Sequence, residues 1–466
     1  MAFFELFLSL TLIAVAGGIV WGAYRYNDTL HPLIFLASAS GFMYVIRPWS
    51  LYRDEALDQF FLPQELAFIQ GFNLVCVVAL IAGCIVGSQG IRRDTTRVDQ
   101  YQYFSTQAWK DRLLHLALAL GGIGLLLYVY GLYNVGGFVA AYDNPKGGGW
   151  ATTGYLRDFS ILVVPATILL FMSRRGSLWK VWHKTLLFVF SSPLLVHGLL
   201  SARRGPTFMG IVSIGIGWYL NRHHRPSLWQ MLTAGTAVGI LLLALVTFRG
   251  EIYLGSSFFK GEGPSAREMI EQSLDRTDQA DYGNEFIYGS YILLGAQDEQ
   301  SFYWGRRYLT YVFIRPIPSA LWPTKYSDVG MEELLQNAGT FVQAANIPAD
   351  KLPKGAAPGF TADLYLEFWW FAIAAAFAIG WVYGFFWRRN LTYGGWWRVM
   401  FAVLLVLSLY LITQTVEAGL FRFLEILLPT TLGWMIIHPG HQQEINSIRQ
   451  GGSHSLSSIH RRSPLL

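Results

Sequence analysis

The chain has 466 residues, 53% hydrophobic and only 14% charged, with a mean hydropathy of +0.34. A soluble domain carries about 25% charged residues, so this composition leaves too little polar surface for a water-soluble globule. The formal net charge of +5 is small, and the only cysteines, Cys76 and Cys84, fall in one apolar run, which excludes a disulfide framework.

A helix needs about 17–25 apolar residues to cross the hydrocarbon core. Runs of this kind predict spans near 3–21, 32–46, 67–87, 113–133, 156–173, 184–201, 207–220, 228–248, 361–386, 399–416 and 423–438. The first run has no basic leading segment and carries Glu5, so it reads as a retained span and not as a cleaved signal. The run at 207–220 is short, as expected of a half-helix or of a hairpin packed against protein. The expected fold is therefore an all-α integral membrane protein with about eleven spans. An N-terminal bundle over 1–248 leads into a large, partly helical loop over 249–360; the last three spans follow over 361–438, and a polar tail occupies 439–466.

Lys and Arg gather in the loops after odd-numbered spans, as at Arg92, Arg93, Lys110, Arg174, Arg175, Arg388 and Arg389. By the positive-inside bias that side is cytoplasmic. The N-terminus is then expected outside and the C-terminal tail inside, with 249–360 on the non-cytoplasmic face. In that loop the segments 264–277 and 330–346 have amphipathic helical patterns. A loop of this length without a function of its own is uncommon. No internal repeat suggests the duplicated halves of a transporter.

Arginine recurs on the same outer side, against the positive-inside bias. Ser201-Ala-Arg-Arg-Gly-Pro206 places Arg203 and Arg204 between two spans. Either they snorkel at the interface and end a helix, or they clamp an anion, since guanidinium matches phosphate oxygens bidentately. In the second case Gly205 permits close backbone approach, and Pro206 suits the first turn of the next helix. Arg249, Arg306, Arg307, Arg315, Lys325 and Arg422 fall on the same side, with Arg306 and Arg307 reading as ordinary loop surface. Such a gathering suits a polyanionic head group such as a lipid-linked pyrophosphate. Asp363 and Glu367 stand four residues apart and share one helix face. Glu367 either pairs with one of the arginines or takes the proton from an acceptor hydroxyl. Glu417 and Glu425 are weaker candidates of the same kind, and His197 reads as a hydrogen-bonded core histidine. Tyr303, Trp304, Tyr308 and Trp322 belong to the interfacial belt or stack on sugar rings. No metal-binding or nucleotide-binding motif occurs, and neither a cofactor nor a nucleic-acid partner is expected.

Three patterns resemble the Wzy-type O-antigen and exopolysaccharide repeat-unit polymerases: Arg204 with Gly215; Ile314-Arg-Pro-Ile-Pro-Ser-Ala-Leu-Trp-Pro-Thr-Lys325; and Gly359-Phe-Thr-Ala-Asp-Leu-Tyr-Leu-Glu-Phe. The layout, with the largest outer loop before the last three spans, is similar over the whole chain. Ser319 departs from the family's arginine, and Tyr326 replaces a second proline. The resemblance implies an inverting, metal-independent glycosyltransferase of GT-C type in the bacterial inner membrane, which joins undecaprenyl-pyrophosphate-linked repeat units into a surface polysaccharide. Carried over by position, Arg204 grips the pyrophosphate with Arg203 alongside, while Arg315 and Lys325 belong to the same site. Asp363 and Glu367 are the acidic candidates, and Arg249, Trp322 and Arg422 complete the expected substrate contacts. A chain-length regulator and a flippase are implied as partners. The alternatives are an O-antigen ligase-like transferase and a lipid-linked glycan flippase. The related ligases use a histidine in the large loop, and 249–360 contains none.

Overall fold

The computed structural model describes residues 1–90, 106–144, 155–222, 226–247, 253–254, 284–300, 302–317, 321–331 and 356–438. Among these residues every regular element is helical. Seven helices among the described residues are long and apolar enough to cross a membrane: α1 (Ala2–Tyr26), α4 (Pro63–Gly87), α5 (Gln107–Val135), α8 (Val181–Leu200), the interrupted rod Gly359–Tyr393, α16 (Gly395–Thr413) and α17 (Val416–Ile437). The chain is an all-helical, multi-pass membrane protein. Shorter helices fill the rest: α2 (Pro32–Gly41) and α3 (Arg47–Arg53), α6 (Phe138–Tyr142), α7 (Val163–Ser173), α9 (Arg204–Leu220) and α10 (Leu228–Thr247). Helical segments lie at each of the expected spans, seven of them long and apolar enough to cross a membrane among the described residues. The segments 264–277 and 332–346, Arg249 and the tail 439–466 lie outside the described residues.

Two apolar cores hold the bundle together. One is built on α1, α2, α4 and the rod Gly359–Tyr393; the other on α5, α7, α8 and α9. α16 joins them, giving Leu404, Leu411 and Ile412 to the first and Val399–Val403 to the second. It is apolar on every face, as expected of a helix surrounded by protein. α4 packs against α15 (Ala372–Tyr393) along a seam of glycines. A methyl group on Gly83 or Gly87 would overlap the carbonyls of Phe377 and Trp381, and one on Gly380 or Gly384 those of Leu80 and Cys84. Both helices thus present glycines four residues apart, the spacing that brings backbones into contact within a membrane.

Within the large loop, α11 (Glu285–Glu299) was not expected. Asn284 caps it through Ile287 N–H at 3.3 Å. Its residues from Glu285 to Leu293 are buried, Phe286, Ile287, Tyr288 and Ile292 joining the first core. The loop therefore folds into the bundle. α12 (Arg306–Leu309) and a π turn at Thr310–Ile314 follow, then α13 (Lys325–Asp328).

The rod after the loop is two helices. α14 (Gly359–Phe368) stops at a 3-10 turn, Trp369–Phe371, where Trp369 has φ 51°, and α15 resumes at Ala372. Its start is pinned from three sides. Gly359 N–H donates to Gln414 O at 2.8 Å, Thr361 N–H to Tyr44 Oη at 3.0 Å, and Thr361 Oγ1 to Asn73 Oδ1 at 2.6 Å. Gly359 has φ +78°, and a side chain there would meet Met43 Cε at 2.6 Å, so glycine is required. Tyr44 reaches this point from a π turn, Phe42–Ile46, between α2 and α3, and Gln70 Nε2 donates to its carbonyl at 3.0 Å.

Candidate functional site

The polar residues of the sequence converge at the end of the bundle where α8 passes to α9 and α16 to α17. At its centre is Arg307, only 4% exposed although it lies in the loop. It pairs with Asp363 and Glu367 of α14, and its Nε lies 3.6 Å from Glu417 Oε2 on the first turn of α17. The i,i+4 spacing of the two α14 carboxylates lets one guanidinium serve both. Both carboxylates are fully buried. Asp363 Oδ2 also accepts from Tyr308 Oη at 2.8 Å and from Val416 N–H at 2.9 Å, while Glu367 Oε2 accepts from Gly305 N–H at 2.8 Å. The backbone reinforces the junction, Trp304 N–H donating to Glu367 O at 2.7 Å and Tyr303 N–H to Leu366 O at 3.1 Å. Loop, α14 and α17 are thus tied at one point.

Burial alone would lower the pKa of Arg307, but Asp363, Glu417 and Glu367 outweigh it and hold the guanidinium well above its usual range. Tyr308 is raised by burial and then by Asp363. Tyr311 is pushed up to about 12 by burial and by Glu417. Both phenols stay neutral at any physiological pH.

A second layer of cations surrounds this knot. Arg315 lies over the rings of Tyr311 and Phe421, 4.9 and 4.7 Å from their centres. Arg422, beside Phe421, lies 4.3 Å from the centre of the Tyr410 ring and donates to Ala418 O at 3.1 Å. A side chain on Gly205 would come within 3.1 Å of the same Tyr410 ring. The start of α9 and Arg422 therefore share the Tyr410 ring, and Arg315 lies on the Tyr311 and Phe421 rings. Arg204 is the first residue of α9; it pairs with the buried Glu285 of α11 and keeps 22% of its side chain exposed.

The turn into α9 is tight. Arg203 N–H donates to Gly198 O at 2.8 Å, Ala202 has φ 47° while buried, and Gly198 lies against Thr207 with no room for a side chain. This geometry turns neighbouring arginines apart. Arg203 lies within electrostatic reach of Tyr142 on α6, whereas Arg204 meets Glu285.

Lys325 is fully buried, and its ammonium donates to the carbonyls of Arg315, at 3.0 Å, and Ile317. It clasps the turn that carries Arg315. Trp322 donates its indole N–H to Asp328 Oδ2 at 2.6 Å, and Thr324 Oγ1 donates to the same oxygen at 2.8 Å. These two bonds hold the Asp328 carboxyl below its usual pKa.

The structure joins Asp363 and Glu367 to Arg307, Arg204 to Glu285, and Lys325 to the backbone of Arg315, and it sets Arg315 and Arg422 on aromatic rings; Trp322 stays within its own turn, and Arg249 falls outside the described residues. Arg307, expected as ordinary loop surface, is instead buried, and Glu285, Tyr410 and Phe421 are participants that sequence reading passed over. Only the paired carboxylates at 363 and 367 signalled that a buried cation was needed. Among the described residues no group of His, Cys, Asp or Glu is arranged to hold a metal. No family model, curated protein or solved structure matches this chain.

Proposed function

We propose that the protein joins lipid-linked oligosaccharide repeat units into a surface polysaccharide by inverting glycosyl transfer from an undecaprenyl-pyrophosphate donor. The observation that carries this reading is the position of Arg315 on Tyr311 and Phe421, and of Arg422 on Tyr410, the ring that Gly205 beside Arg204 also approaches. Guanidinium groups so placed suit a pyrophosphate, whose negative charge grows as the glycosidic bond breaks. Arg204 holds its oxygens, Arg315 and Arg422 approach from the loop and α17, and Lys325 fixes the turn bearing Arg315. Rings such as those of Tyr311 and Tyr410 offer flat faces for a sugar. The chemistry needs no nucleotide sugar.

The same reading completes the topology. About eleven helices cross the bilayer, the N-terminus lies outside, the C-terminus lies in the cytoplasm, and the arginine-lined end faces outward from a bacterial inner membrane. Donor and acceptor are both lipid-linked there, and a flippase and a chain-length regulator are the expected partners.

Deleting the gene in its host and analysing cell-surface glycans tests this directly. The expected result is loss of long polymer and accumulation of single lipid-linked units. Polymer should return with the wild-type chain but not with Arg315→Ala expressed at the same level. Unchanged polymer length in the deletion overturns the proposal.

A further inference from the structure

Arg307 supplies one positive charge to three carboxylates, those of Asp363, Glu367 and Glu417. Like charges crowded in a buried site do not all ionise without cost, so one of the three is the natural seat of an exchangeable proton. Hydrogen bonding identifies which. Asp363 and Glu367 commit both of their oxygens, to Arg307 on one side and to Tyr308 Oη, Val416 N–H and Gly305 N–H on the other. Glu417 does not: its Oε2 accepts no hydrogen bond from the described residues, although the residue is only 9% exposed.

The surroundings of Glu417 suit a group that gains and loses a proton. It stands on the first turn of α17, where the helix dipole favours the anion. Arg307 and Arg315 face it with positive charge, Asp363 and Glu367 with negative charge, and the neutral phenol of Tyr311 lies near. Tyr308, with Tyr311, is held protonated and so cannot serve as the base.

We propose that Glu417 is the general base of the site, taking the proton from the acceptor sugar's hydroxyl, while Asp363 and Glu367 position Arg307. The inference rests on the glycosyl-transfer reading above. The acceptor oxygen bonds to the donor's anomeric carbon, and the bond from that carbon to the pyrophosphate oxygen breaks. The lipid pyrophosphate departs with the electron pair toward the arginines, and the hydroxyl proton passes to Glu417. Atoms and charge balance without a further reactant.

The test uses purified full-length protein in detergent and, as substrate, the lipid-linked oligosaccharide that accumulates in host cells lacking the gene. The rate kcat is followed against pH for wild type, Glu417→Gln and Glu417→Asp, with thermal unfolding as the check on folding. In the wild type kcat should rise with pH to a plateau as the base ionises. Glu417→Gln should keep its KM and its unfolding temperature, lose about 10²–10⁴-fold in kcat and show no acid limb. Glu417→Asp should retain the limb at reduced rate. A folded Glu417→Gln whose kcat is within about threefold of wild type, less than general-base catalysis contributes, and which keeps the limb, overturns the inference. If Glu417→Gln does not fold, Glu417→Asp decides, and a folded form without the limb overturns it. A wild-type protein that makes no product in this reaction removes the transfer reading itself, a different result from an active wild type indifferent to residue 417.

Discussion

Arg307 shows what burial does to a loop side chain. Removing one partner of a buried ion pair costs about 3–5 kcal/mol, because the remaining charge stays behind uncompensated. Here the remainder would be three carboxylates on two helices. Arg307→Met, similar in length but uncharged, is therefore expected to destabilise the protein by about that amount, read as a lowered unfolding temperature in detergent. Arg315→Ala, whose guanidinium lies on aromatic faces, should lose activity with little change in unfolding. Equal destabilisation by the two would contradict the division between a structural and a ligand-facing arginine. Lys325→Met is expected to remove the ammonium that donates to the carbonyls of Arg315 and Ile317, at about 1–3 kcal/mol, and to lower activity through a displaced Arg315. The pairing of Asp363 with Glu367 was readable because helical spacing is local information. The role of Arg307 was not, since its partners lie more than fifty residues away along the chain; by local pattern it looks like solvated loop. Lys325 was placed in the site by the resemblance, and its backbone clasp depends on how residues 315–325 turn.

The α4–α15 seam and the loop helix α11 make the corresponding case for whole elements. Gly380 sits where a methyl group would overlap the Leu80 carbonyl, whereas Gly122 on α5 has open space around it. Gly380→Ala should destabilise by about 1–3 kcal/mol through overpacking. Gly122→Ala should be neutral or stabilise by about 0.5–1 kcal/mol through helix propensity. Thermal unfolding of the two variants side by side checks this, and equal shifts would contradict a backbone-to-backbone seam. The apolar runs predicted the helices because length and hydropathy are what a bilayer demands. α11 escaped that reading: its run from Glu285 is short and mixed with tyrosine, glycine and serine, and protein rather than lipid surrounds it. Likewise the span expected at 361–386 is two helices, broken at Trp369. No proline marks that break.

At the scale of the whole molecule, the proposed orientation puts the arginine-lined end outside the cytoplasm. Cys76 and Cys84 are both buried, so single introduced cysteines report topology against a quiet background. In intact cells with the outer barrier permeabilised, a membrane-impermeant maleimide should label Ser327→Cys. It should reach Leu178→Cys, at an exposed turn between α7 and α8, only after the inner membrane is opened. The reverse pattern would contradict the orientation. The central claim is that the gathered arginines serve glycosyl transfer from a pyrophosphate lipid. The most direct measurement mixes purified protein with its lipid-linked oligosaccharide in the presence of EDTA and resolves the products on a gel. The account predicts a ladder of longer glycans, absent from folded Arg315→Ala. Failure of the wild type to form a ladder, together with protein-dependent movement of the same lipid across liposome bilayers, would contradict it.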